Sequence, residues 1–113
     1  TSDKNELEFI VEYIQKHLTE DISVDFLTEH LYMSKASLYR YFRKNFNTTP
    51  RNFINQERIK QAYELMQANP AKSVNDISVE VGFNHTSYFI KVFKDYYGIT
   101  PKQFQIKLKA NTK

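Results

Sequence analysis

Apolar residues recur at helical spacing from the start of the chain. Leu7, Ile10, Val11, Ile14 and Leu18 fall three or four apart, which predicts an amphipathic helix over about residues 4–18. Asp3, Glu6 and Glu8 crowd its beginning, where the positive end of the helix dipole favours acids. Ile22-Ser23-Val24 reads as a new start, with Ser23 as N-cap and Ile22 placed to staple onto Leu27. The second helix then covers about 24–31 and turns Val24, Leu27 and Leu31 inward. Tyr32-Met33-Ser34 breaks it within three residues, and Ser34 caps a third helix over about 35–46. Leu38, Tyr41, Phe42 and Phe46 form the inner stripe of that helix. Its other face carries Lys35, Ala36, Tyr39, Arg40, Arg43 and Lys44. A short helix, a tight turn and a second helix with a basic outer face is the helix-turn-helix pattern.

Asn47-Thr48-Thr49-Pro50 ends the third helix, and Thr49-Pro50 is an N-cap followed by a proline in the first turn. The fourth helix should run about 19 residues to about Ala68, a rod of roughly 28 Å. Its apolar set is Phe53, Ile54, Ile59, Ala62, Leu65 and Met66, and Asn69-Pro70 stops it.

Residues 73–104 then repeat 23–53. Ser23-Val24, Leu27 and Leu31 match Ser73-Val74, Ile77 and Val81, fifty residues on. After one residue gained in the turn, Leu38, Arg40, Phe42, Arg43, Phe46, Pro50 and Phe53 match Phe89, Lys91, Phe93, Lys94, Tyr97, Pro101 and Phe104. Asn47 and Gly98 fill the same helix-ending position, both suited to positive φ. Phe42, Phe46, Phe89, Phe93 and Tyr97 are expected inside, as core and not as a stacking platform. Core packing explains a repeat of apolar residues. It does not require the outward pairs Arg40/Lys91 and Arg43/Lys94, which suggest a duplicated task. The fold expected is all-α, with about seven helices. Residues 1–49 form one helix-turn-helix subdomain, 50–69 the linker helix and 70–113 the second subdomain.

Charge sharpens this picture. Residues 1–30 hold two basic and eight acidic side chains, whereas 31–113 hold fourteen basic and five acidic. Between 34 and 60 there are seven cations against Glu57 alone. A basic stripe beside an acidic segment points to an oriented polyanion or, equally, to a solvated surface. Arg58 and Lys60 on the linker helix are expected to be structural, since they could pair with acids of the first helix. With 113 residues, 15% aromatic content and no cysteine, the chain is long enough for a real core. Disulfide scaffolds, thiolate zinc sites and cysteine nucleophiles are excluded. No apolar run approaches a membrane span. His17, His30 and His85 share no ligand spacing, so no metal site is expected. No nucleophile–base set or phosphate loop is present, so the chain is not expected to be an enzyme or to need a cofactor. The module is expected in the cytoplasm.

These motifs resemble the DNA-binding domain of the AraC/XylS family of bacterial transcription activators, over about residues 5–108. The most specific match is Ile77-Ser78-Val79-Glu80-Val81-Gly82-Phe83, then Ser87-Tyr88-Phe89-Ile90-Lys91-Val92-Phe93-Lys94, then Tyr97-Gly98-Ile99-Thr100-Pro101 and Phe104. The linker match is Arg58-Ile59-Lys60-Gln61-Ala62 with Leu65-Met66. Two positions depart from the pattern. Ser78 stands where the family usually has alanine, and Tyr32 where the first unit often has glycine, so that turn is expected to differ in detail.

The resemblance implies that the third and sixth helices enter successive major-groove segments of one duplex, read by Ala36, Tyr39 and Arg40 and by Thr86, Ser87 and Lys91. Lys35 and His85 would flank those contacts, and Arg43, Lys44, Lys94 and Lys102 would hold phosphates. The chemistry of the side chains is compatible: Arg40 can pair with guanine O6/N7, Lys91 can reach the same atoms, and Ala36 and the Thr86 methyl can meet a thymine methyl. Arg40 and Lys91 could also be phosphate contacts, and Tyr39 could lie along its own helix against Arg43. The partner expected is double-stranded DNA, with RNA polymerase as a second one. A sensing or dimerising domain is expected upstream in a longer regulator. The rival reading is a helical protein–protein module, which would not show DNA affinity falling steeply with salt.

Overall fold

Serine and threonine caps divide the chain into its helices. The computed structural model describes residues 2–111, with side chains from residue 8 onward. The Asp3, Glu6 and Leu7 side chains therefore lie outside the described residues. Seven helices and no strands occur among the described residues: α1 (Ser2–Lys16), α2 (Val24–Leu31), α3 (Lys35–Phe46), α4 (Pro50–Ala68), α5 (Val74–Glu80), α6 (Thr86–Tyr97) and α7 (Pro101–Asn111). The Ser23, Ser34 and Ser73 hydroxyls accept from the backbone N–H of Phe26, Ser37 and Asp76 at 3.0, 3.1 and 3.0 Å. Each satisfies a donor that a helix start leaves orphaned. Thr49 and Thr100 repeat the device ahead of their prolines, accepting from Asn52 and Gln103 N–H. At Thr100 the cap is reciprocal, because the Gln103 side-chain carbonyl accepts from Thr100 N–H at 2.9 Å.

The chain divides into two compact units, one up to Asn55 and one from Gln56 onward. The first has a core of Ile10, Ile14, Leu18, Ile22, Leu27, Leu38, Phe42, Phe53 and Ile54. Val11, Tyr13, Val24, Phe26, Leu31, Met33, Tyr41 and Phe46 pack around it. Its aromatic centre is Phe42, whose ring lies 5.2 Å from Phe46 and 5.5 Å from Phe53.

The second unit is built around Ile59, Ala62, Met66, Ile77, Val81, Phe83, Phe89, Val92 and Phe93. The Gln105 amide is buried and donates to the Lys72 carbonyl, tying α7 to the turn before α5. Lys72 also pairs with Glu80. The Ser78 hydroxyl is fully buried without a hydrogen-bond partner among the described residues, an unfavourable feature that alanine would not have.

The turn inside each helix-turn-helix uses one bonding scheme. Met33 N–H reaches the Thr28 carbonyl at 3.2 Å, and Phe83 N–H reaches the Ser78 carbonyl at 3.0 Å, equivalent residues fifty apart. This scheme needs a left-handed residue just before the donor. Gly82 supplies it at φ 100°, and Tyr32 supplies it at φ 54°. The expected difference at Tyr32 is thus one of strain: the residue adopts the glycine-type conformation, and its side chain is 95% exposed. A left-handed non-glycine residue costs about 1–2 kcal/mol, partly offset because glycine has more freedom to lose on folding. Tyr32→Gly should therefore stabilise the chain by about 1 kcal/mol, read as a raised urea midpoint with unchanged m-value. A lowered midpoint would mean that the tyrosine side chain contributes more than its exposure suggests.

Lys60 pairs with Glu57 of its own helix, at 3.8 Å, and the Arg58 guanidinium lies 5.8 Å from the centre of the Phe83 ring. One expectation is corrected: Tyr97 is not interior. As the last residue of α6 it is 40% exposed and covers the core edge, 4.9 Å from Phe93 and 4.8 Å from Tyr63. Its partial burial, then Tyr63 and Glu64, push the Tyr97 phenol above its ordinary pKa.

Candidate nucleic-acid interface

In the first unit, α3 is held from below and free above. Leu38 and Phe42 are fully buried, and Tyr41 and Phe46 pack partly against the same core. Burying that stripe leaves Lys35, Ala36, Tyr39, Arg40, Arg43 and Lys44 all exposed on the opposite side. No acidic residue occurs in α3. Arg40 is steered at its base: one guanidinium nitrogen donates to the Ser37 hydroxyl at 3.3 Å, and Ser37 accepts from the capping Ser34 hydroxyl at 2.9 Å. Ser37 and Ser34 were absent from the sequence-derived site. A shallow open hollow of about 580 Å³ lies beside this face, lined by Met33, Ser37, Arg40, Tyr41, Arg43 and Lys44. Asn47 closes the helix at φ 55°, with its N–H on the Arg43 carbonyl at 3.1 Å.

In the second unit, α6 is fixed by Phe89, Val92 and Phe93. Ser87, Lys91 and Lys94 stand exposed on it, His85 is exposed just before it, and Lys102 is exposed at the start of α7. His85 occupies the N-cap without a side-chain cap bond. Thr86 is only half-exposed, and its hydroxyl donates to the Asn75 side-chain carbonyl at 2.7 Å. That bond commits the Thr86 proton and leaves the oxygen lone pairs and the methyl group for other contacts. Asn75 precedes Thr86 by eleven residues and no spacing rule connects them, so sequence reasoning missed it. Lys91 pairs with Asp95 at 3.6 Å on an open surface. The first unit thus gathers its sequence-derived candidates onto one exposed face of α3; in the second, Ser87, Lys91 and Lys94 share the exposed side of α6, whereas His85 and Thr86 stand at its start and Lys102 lies on α7. No group of residues suited to a metal ion occurs among the described residues. No described helix is long and apolar enough to cross a membrane.

Comparison with known proteins bears on the family and the fold. Residues 27–106 match the family model of a helix-turn-helix domain. The Msm operon regulatory protein of Streptococcus mutans is 33% identical over 98 residues, which are 87% of this chain and 35% of that protein. The chain spans about a third of the length of the first curated relatives it matches. Among solved structures, the C-terminal domain of the two-component response regulator yesN from Fusobacterium nucleatum is 33% identical. It superposes with a TM-score of 0.81 over 89% of this chain and 98% of that one. The DNA-binding domain of AdpA, a global transcriptional factor solved in complex with a target DNA, has the same fold at 24% identity. Its TM-score is 0.84, over 94% of this chain and 95% of that one. By the family-model match, the paired turns and the repeated capping scheme, the chain belongs to the AraC/XylS family of helix-turn-helix DNA-binding domains.

Proposed function

We propose that this chain is a sequence-specific double-stranded DNA-binding module, the output part of a bacterial transcription regulator that acts as an activator. The observation that carries the reading is the duplicated exposed cation set: Arg40 with Arg43 on α3, and Lys91 with Lys94 on α6, each opposite a buried aromatic stripe. Family membership supports it, as do relatives that are regulators by name and a structural neighbour solved on its target DNA. In this reading α3 and α6 are the recognition helices. Ala36, Tyr39, Arg40, Thr86, Ser87 and Lys91 face base edges, while Lys35, Arg43, Lys44, His85, Lys94 and Lys102 flank them or hold phosphates. The task is binding and not catalysis. In the longer regulator, RNA polymerase is the second partner, a further domain carries sensing or dimerisation, and this module works in the cytoplasm.

The test is selection of bound duplexes from a random pool. Two short motifs with centres about one duplex turn apart, roughly 34–36 Å, are expected. Recovery of a single motif would leave only one of the two helices as a reader. Recovery of no motif, with affinity insensitive to salt, would replace the reading with a protein–protein module.

A further inference from the structure

The internal repeat pairs two of the four cations of α3 with cations of α6, and one pair changes sign. At the fifty-one-residue offset, Arg40 becomes Lys91, Arg43 becomes Lys94, and Lys44 becomes Asp95. Asp95 is the only acid in α6, whereas α3 has none. Nothing in the helix itself favours it. Asp95 sits in the last turn of α6, where the negative end of the dipole disfavours a carboxylate. Its pair with Lys91 has the cation on the N-terminal side, the weaker order at i,i+4 spacing. The two side chains are 64% and 73% exposed, so the ion pair adds little to stability. Core packing does not explain it either.

We propose that Asp95 is a specificity-determining residue of the second recognition helix, selecting a cytosine beside the guanine that Lys91 contacts. The proposal rests on the DNA-binding reading above. Lys91 and Asp95 lie one helical turn apart on the same face, with charged atoms 3.6 Å apart. One is donor-only and the other, when ionised, is acceptor-only. The major-groove edge of a G·C pair offers the complement: guanine O6 and N7 accept, and the cytosine N4 amino group donates. A carboxylate at this point also repels positions that present only acceptors, such as thymine O4 and guanine O6/N7. It therefore selects against other bases as well as for cytosine. In the first unit the equivalent residue is Lys44, a phosphate contact in the reading above, so a cytosine preference of this kind is expected in only one of the two half-sites, which should not form a simple direct repeat.

The test compares wild type, Asp95→Ala and Asp95→Asn by duplex selection and by titration of single-base variants of the selected site. Wild type should show a cytosine preference at one position of the half-site read by α6. Asp95→Ala should lose that preference by about tenfold while every other position keeps its own. Asp95→Asn should shift the position toward adenine, whose N6 and N7 match an amide. Because the aspartate opposes the helix dipole, both variants should fold as wild type by far-UV circular dichroism. A uniform gain in affinity on all duplexes would overturn the proposal and reduce Asp95 to a general electrostatic brake. An unchanged cytosine preference in both variants would overturn it too. If wild type binds no duplex at all, the functional reading itself fails, which is a different result from either.

Discussion

Phe42→Ala and Phe93→Ala are each expected to cost about 3–5 kcal/mol of folding stability. The two residues occupy equivalent places in the repeat, and both are fully buried. Phe42 contacts Phe46 and Phe53 in the first unit, and Phe93 contacts Phe89, Tyr97 and Phe104 in the second. Truncation removes the apolar transfer of a whole ring and leaves a cavity that surrounding rings cannot close, because they are held by their own helices. A domain of this size is stable by only about 5–15 kcal/mol, so either substitution should leave the chain near its unfolding threshold. Urea melts at 25 °C measure it. A loss below about 1 kcal/mol for either residue would mean that its core relaxes around the gap and does not hold its recognition helix by tight packing. Binding should fall with stability in both variants, since Phe42 and Phe93 set the position of the helices that carry Arg40 and Lys91.

Most of this core was legible in the sequence because helical periodicity and capping are local. Ser23, Ser34, Thr49, Ser73 and Thr100 mark helix starts within four residues of the donors they satisfy. The bounds of α2, α3 and α4 follow directly from those marks. The repeat extended the reading to the second unit, where Gly98 confirms the helix end by its φ of 78°. Local rules failed where a side chain answers to something distant or to its neighbours' shape. Tyr97 has the apolar period of a core residue, yet the helix ends there and one side of its ring stays open. Asn75 reaches Thr86 only after α5 and α6 have packed. Asp95 was hidden for another reason. Matching the two units by what they share draws attention away from the position where they differ.

Affinity for duplex DNA should fall several-hundred-fold between about 50 and about 200 mM monovalent salt. If Lys35, Arg43, Lys44, Lys94 and Lys102 each neutralise one phosphate, log affinity against log salt has a slope of about −4.5, from about −0.9 per contact. All five side chains are exposed and none has an acidic partner that would compete with phosphate among the described residues. The single variants separate the roles. Arg43→Ala should flatten the slope by about 0.9 and weaken binding equally on every duplex, the mark of a phosphate contact. Arg40→Ala should instead cost about 1–3 kcal/mol on the preferred site and relax preference at one base pair. The geometry motivates that split. Arg40 is pre-oriented by Ser37, as bidentate contact to a base edge requires, whereas Arg43 sits a turn further on beside the helix end. Fluorescence anisotropy on the selected duplex and its single-base variants, at four or more salt concentrations, gives both quantities from one set of titrations. Equal losses for Arg40→Ala on all variants, with a flattened slope, would move Arg40 to the phosphates. A slope near zero in wild type would remove the electrostatic basis for nucleic-acid binding altogether.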